Sequence, residues 1–100
     1  MTRTVQCAVI GGGIMGVAAL YQLTEHGWRD TVLFEKAELT SGSTWHAAGQ
    51  IAHAVGSRLS GWINKTSIST YKAVEQETGQ SIGWHEVGGY RVAYGDDEVD

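Results

Sequence analysis

The sequence predicts an α/β fold built on a doubly wound parallel sheet, and three features predict it. A short apolar run, Cys7-Ala8-Val9-Ile10, passes through glycines straight into helix-forming sequence. A second apolar run, Thr31-Val32-Leu33-Phe34, follows once that helix has been closed by Gly27. An acid, Glu35, stands at the end of the second run. Strand, glycine turn, helix and strand in that order form the βαβ unit of a nucleotide-binding half-domain. Continuous apolar runs, in place of alternating ones, are what strands buried on both faces look like.

The glycine turn is Val9-Ile10-Gly11-Gly12-Gly13-Ile14-Met15-Gly16 and reads as a cradle for a diphosphate. Gly11, Gly13 and Gly16 keep the G-x-G-x-x-G spacing. The first allows the tight turn, the second removes the side chain that would block the pyrophosphate, and the third lets helix and strand approach closely. In a chain with 14 glycines the spacing alone is a weak signal, and the surrounding strand and helix give it weight. Free backbone N–H groups of Ile14 and Met15 are expected to face the anion from the positive end of the helix. Ile14, Val17, Ala18 and Tyr21 recur at i, i+3, i+4, i+7 and are expected to face the core, with Gly27 as a left-handed C-cap. A carboxylate at Glu35 suits both hydroxyls of an adenosine ribose and repels a 2′-phosphate.

Residues 37–56 have neither a strand nor a helix period. They mix small residues and hydroxyls with the pair Trp45-His46. Ser41, Ser43 and Thr44 are donors suited to phosphate or ribose oxygens, and small neighbours allow the backbone to come close to a flat or bulky ligand. The plain alternative is a glycine-serine loop. A helix is expected from Arg58 to Thr78, capped by Ser57 and Gly79, with Leu59, Trp62, Ile63, Tyr71 and Val74 on one face. Lys65, Thr66, Ser67 and Ser69 interrupt that stripe. Beyond a loop at residues 82–89, Tyr90-Arg91-Val92-Ala93-Tyr94 alternates as a half-exposed strand does. The acidic run after Gly95 reads as the opening of another helix. No linker composition marks a domain boundary.

With 100 residues and a net charge of −4, the chain has no basic stripe for nucleic acid or anionic lipid. Its single cysteine, Cys7, rules out an internal disulfide and is expected to be a buried thiol. Two strands are fewer than a doubly wound sheet needs, so the chain is expected to be an N-terminal segment of a larger domain. Met1-Thr2-Arg3-Thr4 leaves no room for a leader before the first strand, and no apolar run reaches membrane length. A cytoplasmic protein is the expectation.

None of the four histidines pairs at a metal-ligand spacing, so no metal site is expected. His26 ends the first helix, where a contact with its dipole is expected; His53 and His85 carry no motif. His46 differs, standing within Gly42-Ser43-Thr44-Trp45-His46-Ala47-Ala48-Gly49. This octet resembles the dimethylglycine and sarcosine dehydrogenases and oxidases, members of the D-amino-acid oxidase-like flavoprotein superfamily. The resemblance extends to the Gly11–Gly16 fingerprint, Glu35-Lys36, Glu38-Leu39-Thr40, Glu77-Thr78-Gly79-Gln80 and the following Gly-Gly-aromatic strand. It implies the N-terminal part of a Rossmann-like FAD-binding domain.

The resemblance also implies roles. Gly11, Gly13, Ile14, Met15 and Gly16 would meet the diphosphate, and Glu35 and Lys36 the adenosine end. Gly42, Ser43, Thr44, Trp45, His46, Ala47, Ala48, Gly49 and Gln50 would meet the inner phosphate, ribityl chain and flavin. His46 inherits a covalent bond from a ring nitrogen to the 8α-methyl carbon of FAD. The chemistry is reasonable on its own terms, because a neutral imidazole is a good nucleophile and that methyl group of an oxidised flavin is acidic. The implied function is oxidation of an N-methylated amine by hydride transfer to flavin N5, with formaldehyde or a tetrahydrofolate adduct as the one-carbon product. Oxygen and an electron-transfer flavoprotein are both open as acceptors, and no catalytic acid or base is implied within these residues. Two alternatives stand beside it: a non-catalytic relative like the regulatory subunit of pyruvate dehydrogenase phosphatase, and an NAD-binding dehydrogenase module. The latter has no use for residues 42–49.

Overall fold

The computed structural model describes residues 2–52 and 56–95. His53 and the acidic run expected to open a helix after Gly95 lie outside the described residues. The described elements are β1 (Cys7–Ile10), α1 (Ile14–Glu25), β2 (Thr31–Phe34) and α2 (Arg58–Thr78). The chain divides into two units, Met1–Ala48 and Gly49–Asp100. No proline or low-complexity linker marks that division, which is why the sequence showed no boundary.

In the first unit β1 and β2 pair in parallel, with Cys7 opposite Thr31 and Ile10 opposite Phe34. The ladder continues past the strand end, since the Gly11 N–H donates to the Phe34 carbonyl at 2.8 Å. Parallel neighbours need a crossover, and α1 supplies it while packing on both strands. The helix ends in a Schellman arrangement: the Trp28 N–H reaches the Leu23 carbonyl and the Gly27 N–H the Thr24 carbonyl, both at 3.0 Å. This arrangement needs a left-handed residue, and Gly27 has φ 87°. His26 adds a ring Nδ1 contact to the Gln22 carbonyl at 2.8 Å, the helix-end role expected of it.

Two sequence expectations need correction here. Neither strand is fully buried, and β1 is covered on one face only: Cys7 and Val9 are half-buried while Ala8 and Ile10 are exposed, whereas in β2 Thr31, Val32 and Leu33 are all half-buried. Cys7 is therefore a half-covered free thiol. The face of α1 that turns inward carries Gly16, Leu20, Tyr21 and Leu23, whereas Ile14, Val17 and Ala18 are exposed. Tyr21 alone of the expected stripe is right. The cause lies at Gly16, whose bare backbone brings that side of the helix against the glycine turn, so the apolar repeat one residue round points away.

In the second unit α2 has the expected limits and caps. The Ser57 side chain accepts the Ser60 N–H at 3.1 Å, and Gly79 closes the helix at φ 68°. Two of the polar residues that interrupt its apolar stripe, Ser67 and Ser69, are absorbed by the helix itself, and Thr70 behaves likewise. Ser67, Ser69 and Thr70 donate their hydroxyls to the carbonyls four residues back, at 2.9, 3.1 and 3.0 Å. Ile68 is buried, and Tyr71 and Val74 are half-buried as expected, but Leu59, Trp62 and Ile63 are exposed. Trp84 stacks on Tyr71 with ring centroids 6.3 Å apart, and Lys72 lies over Trp84 while pairing with Glu86 at 3.0 Å. Residues 90–94 are exposed and form no strand. Alternation suggests one face for a sheet, yet a strand also needs a ladder for its backbone groups, and the ladder among the described residues is that of β1 and β2.

Candidate functional site

The start of α1 and the turns after β2 form one groove of about 580 Å³. Its walls are the glycine turn with Ile14 and Met15, the β2 end with Phe34, Glu35 and Lys36, and the turn residues Ser41, Gly42, Ser43, Thr44 and Ala47. Residues separated by more than thirty positions in sequence thus meet at one place, and ten of the residues expected to bind a cofactor line it.

Gly11 and Gly16 take the parts that the fingerprint reading gives them, and a fourth glycine joins them. A Cβ at Gly16 would fall on the backbone carbonyl of Gly11, which is the close helix–strand approach expected of the third glycine. Gly11 takes φ 111°, a region open to glycine alone, and makes the turn. A Cβ at Gly13 would stand 3.0 Å from the Thr44 hydroxyl. Gly12, which the fingerprint leaves unassigned, is as constrained: its Cβ would stand 2.8 Å from Leu39 Cδ2 and 2.9 Å from Glu35 Oε2. Three consecutive glycines were the only sequence signal for it.

Two fasteners hold the turns after β2 against that glycine run. The Thr40 N–H donates to the Gly12 carbonyl at 2.9 Å, and the Ile14 N–H donates to the Thr44 hydroxyl oxygen at 2.9 Å. Thr40 is left-handed at φ 66°, the single non-glycine residue so placed among the described ones, and a β-branched residue there costs roughly 1–3 kcal/mol. The expectation that the Ile14 N–H faces a ligand directly is therefore corrected. Thr44 already caps it, as a hydroxyl at a helix start does. The Met15 N–H keeps no protein acceptor among the described residues and still points from the positive end of α1.

Glu35 holds the opposite side. One carboxylate oxygen accepts the Gly12 N–H at 2.7 Å and the other the Ala37 N–H at 3.1 Å. The Gly12 N–H first, and the Ala37 N–H second, keep its carboxyl below the ordinary glutamate range, with partial removal from water opposing them. Each oxygen offers a second lone pair, so two ribose hydroxyls can still be accepted. An ionised acid at that point also disfavours any added phosphate.

His46 stands on the same run of turns, where Trp45 N–H, His46 N–H and Ala47 N–H return to the carbonyls of Gly42, Ser43 and Thr44. Its ring Nδ1 lies 2.9 Å from the Gly42 carbonyl oxygen. A carbonyl only accepts, so Nδ1 carries a proton there, and in the neutral ring the lone pair is then on Nε2. The imidazole is thus fixed as the tautomer in which Nε2 is the nucleophilic nitrogen. Gly42 is shared: its carbonyl orients His46 while the residue itself lines the groove. Trp45, His46 and Ala48 are exposed and stand outside the groove walls. Gly49 and Gln50 belong to the second unit.

The donor set suits FAD: glycines without side chains and a helix start for the diphosphate, a carboxylate for the ribose, and a fixed imidazole further along. Among the described residues no helix is long and apolar enough to cross a membrane. The chain is 44% identical to mitochondrial dimethylglycine dehydrogenase of Rattus norvegicus over 95% of its length and 11% of the relative's. It is 36% identical to human mitochondrial sarcosine dehydrogenase over 93% of its length and 10% of the relative's. A third relative, the mitochondrial pyruvate dehydrogenase phosphatase regulatory subunit of Mus musculus, is 36% identical over 94% of the chain and 11% of the relative's length. The chain thus spans about a tenth of the length of these curated relatives. Residues 6–100 match the family described as DAO, FAD dependent oxidoreductase, and the chain belongs to that family.

Proposed function

We propose that these residues form the N-terminal part of an FAD-binding domain whose whole protein oxidises an N-methylated amine of the dimethylglycine or sarcosine kind. The observation that carries this reading is the orientation of His46 by Gly42, a residue that also lines the groove beside the diphosphate cradle. Gly11, Gly13, Met15 and Gly16 shape or contact the diphosphate site, and Ile14 acts there through the Thr44 hydroxyl that accepts its N–H. Glu35 and Lys36 take the adenosine end. Residues 42–50, Trp45 and Gln50 included, serve the inner phosphate, ribityl chain and flavin, and His46 Nε2 is the point of covalent attachment. When bound, the flavin supplies a two-electron oxidant for the N-methyl carbon. This chain's contribution is to bind and orient it, and the groups that hold the amine belong to the rest of the protein.

The likeness to enzymes named for dimethylglycine and sarcosine supports the substrate class. The one-carbon product would leave as formaldehyde or pass to tetrahydrofolate bound elsewhere in the whole protein, with oxygen or an electron-transfer flavoprotein as acceptor. The mitochondrial names of the relatives lend no support to a cytoplasmic placement. A second reading, a regulatory protein without catalysis, is favoured by the similarity to the phosphatase regulatory subunit. The two are separated by adding sarcosine, dimethylglycine or betaine anaerobically to the full-length protein and following the flavin absorbance near its long-wavelength maximum. Bleaching by one or both of the first two, with none by the quaternary betaine, supports the amine oxidoreductase. A flavin-loaded protein that none of them bleaches contradicts it.

A further inference from the structure

We infer that Thr44 is a positioning residue for covalent attachment of the flavin: by accepting the Ile14 N–H, its hydroxyl indexes the turns that carry His46 to the start of α1. The inference rests on the reading of His46 as the attachment point and goes beyond it by naming what sets the ring's place.

Of the residues from Ser41 to Ala48, Thr44 is the one withdrawn from solvent, being half-buried while its neighbours are exposed. Its oxygen is 2.9 Å from the Ile14 nitrogen and would be 3.0 Å from a Cβ at Gly13, so the hydroxyl sits where a side chain on the glycine turn would otherwise lie. From that fixed point the geometry is short and rigid. Ala47 N–H returns to the Thr44 carbonyl, His46 N–H to Ser43, and the ring Nδ1 to the Gly42 carbonyl at 2.9 Å. The upstream end is pinned separately by Thr40 on Gly12. Little freedom is left between the diphosphate cradle and the imidazole, and attack on a bound ligand requires the reacting atoms held near contact in one orientation.

The residue type also fits. An aspartate at position 44 would cap Ile14 equally well, but it would set a negative charge beside a diphosphate. A hydroxyl accepts the N–H and keeps its own proton to donate to the anion. In the attachment, a bond forms between His46 Nε2 and the 8α carbon, and one 8α C–H bond breaks. Its proton and the Nδ1 proton leave, and two electrons pass through the flavin to dioxygen, giving hydrogen peroxide. The Gly42 carbonyl is placed to steady the positive charge that the ring carries in between.

The test uses full-length protein produced under riboflavin limitation and then given FAD in air. Denaturation-resistant flavin fluorescence on a gel is followed over time, and total bound FAD is measured in parallel. Thr44→Val is expected to slow attachment at least fivefold per FAD bound, with FAD supplied at saturation, and Thr44→Ser to restore that rate to within twofold of the natural protein's. Should Thr44→Val fail to fold, Thr44→Ala serves with the same expectation. Attachment at the natural rate in the valine or alanine variant overturns the inference. So does a fall in attachment that only tracks a fall in total FAD and leaves the rate per bound FAD at the natural value, since Thr44 would then hold the ligand and not the ring. If the natural protein itself carries no denaturation-resistant flavin, the attachment reading fails, and that result is distinct from either.

Discussion

Residues 1–48 are held by hydrogen bonds between positions far apart in sequence, Gly12 to Glu35 and Ile14 to Thr44 among them, whereas the described part of residues 49–100 is held mainly along one helix and at its caps. In the first unit a bare glycine or a single hydroxyl fixes where two pieces of backbone meet around the groove. In the second, side chains mostly return to their own helix. A change in the first unit should therefore be read in cofactor retention as well as in stability, and a change in the second mainly in stability.

Gly16→Ala should have the largest effect. The added Cβ lands on backbone that cannot rotate away, so about 3 kcal/mol of stability should be lost. Chemical denaturation of the full-length protein, with flavin content measured alongside, should show both falling. Gly12→Ala should cost less, about 1.5 kcal/mol, because Leu39 and the Glu35 carboxylate can shift. Their shift should still weaken FAD binding, which titration of the flavin-depleted protein would reveal. In the second unit, Ser57→Ala removes the oxygen that caps Ser60, and Gly79→Ala forces a side chain into a left-handed cap. Each should cost about 1 kcal/mol with flavin content unchanged. Loss of flavin in either variant would break the contrast between the units.

The smallest effect concerns pH. The folded Glu35 carboxyl lies below its ordinary range, so its contribution is fully present above the unfolded value and fades as pH falls through the lower folded value. Glu35→Gln should lower stability at neutral pH and remove that part of the acid-side decline. An unchanged acid limb in a urea-midpoint series across pH 3 to 6 would show that the Gly12 and Ala37 bonds do not hold the ionised form.

The placements of β1, α1, β2 and α2 were legible because local chemistry determines them: Gly27 and Gly79 stop helices, Ser57 starts one, and two apolar runs of four make the ladder, whereas the alternating run at residues 90–94 misled because it forms no strand. Which face of each helix turns inward was not. On α1 the inward face is decided by a glycine, which a search for apolar repeats passes over. On α2 the serines that looked like interruptions, Ser67 and Ser69, bond back to their own helix, while Leu59, Trp62 and Ile63 remain outside. At the groove, the sequence showed the glycines, Glu35 and the hydroxyl-rich turns. It did not show that Gly12 is constrained, that Thr40 turns left-handed, or that Thr44 takes the Ile14 N–H. Each of these depends on a contact across more than twenty residues, and spacing along the chain carries no trace of it.

The central claim is that the imidazole of His46 is the group to which the flavin becomes joined. The direct measurement compares the natural full-length protein with His46→Ala, each denatured and run on a gel under ultraviolet light. Fluorescence that travels with the natural polypeptide, and that in His46→Ala is replaced by FAD released on denaturation, is the predicted result. Fluorescence retained by the His46→Ala polypeptide would contradict the account.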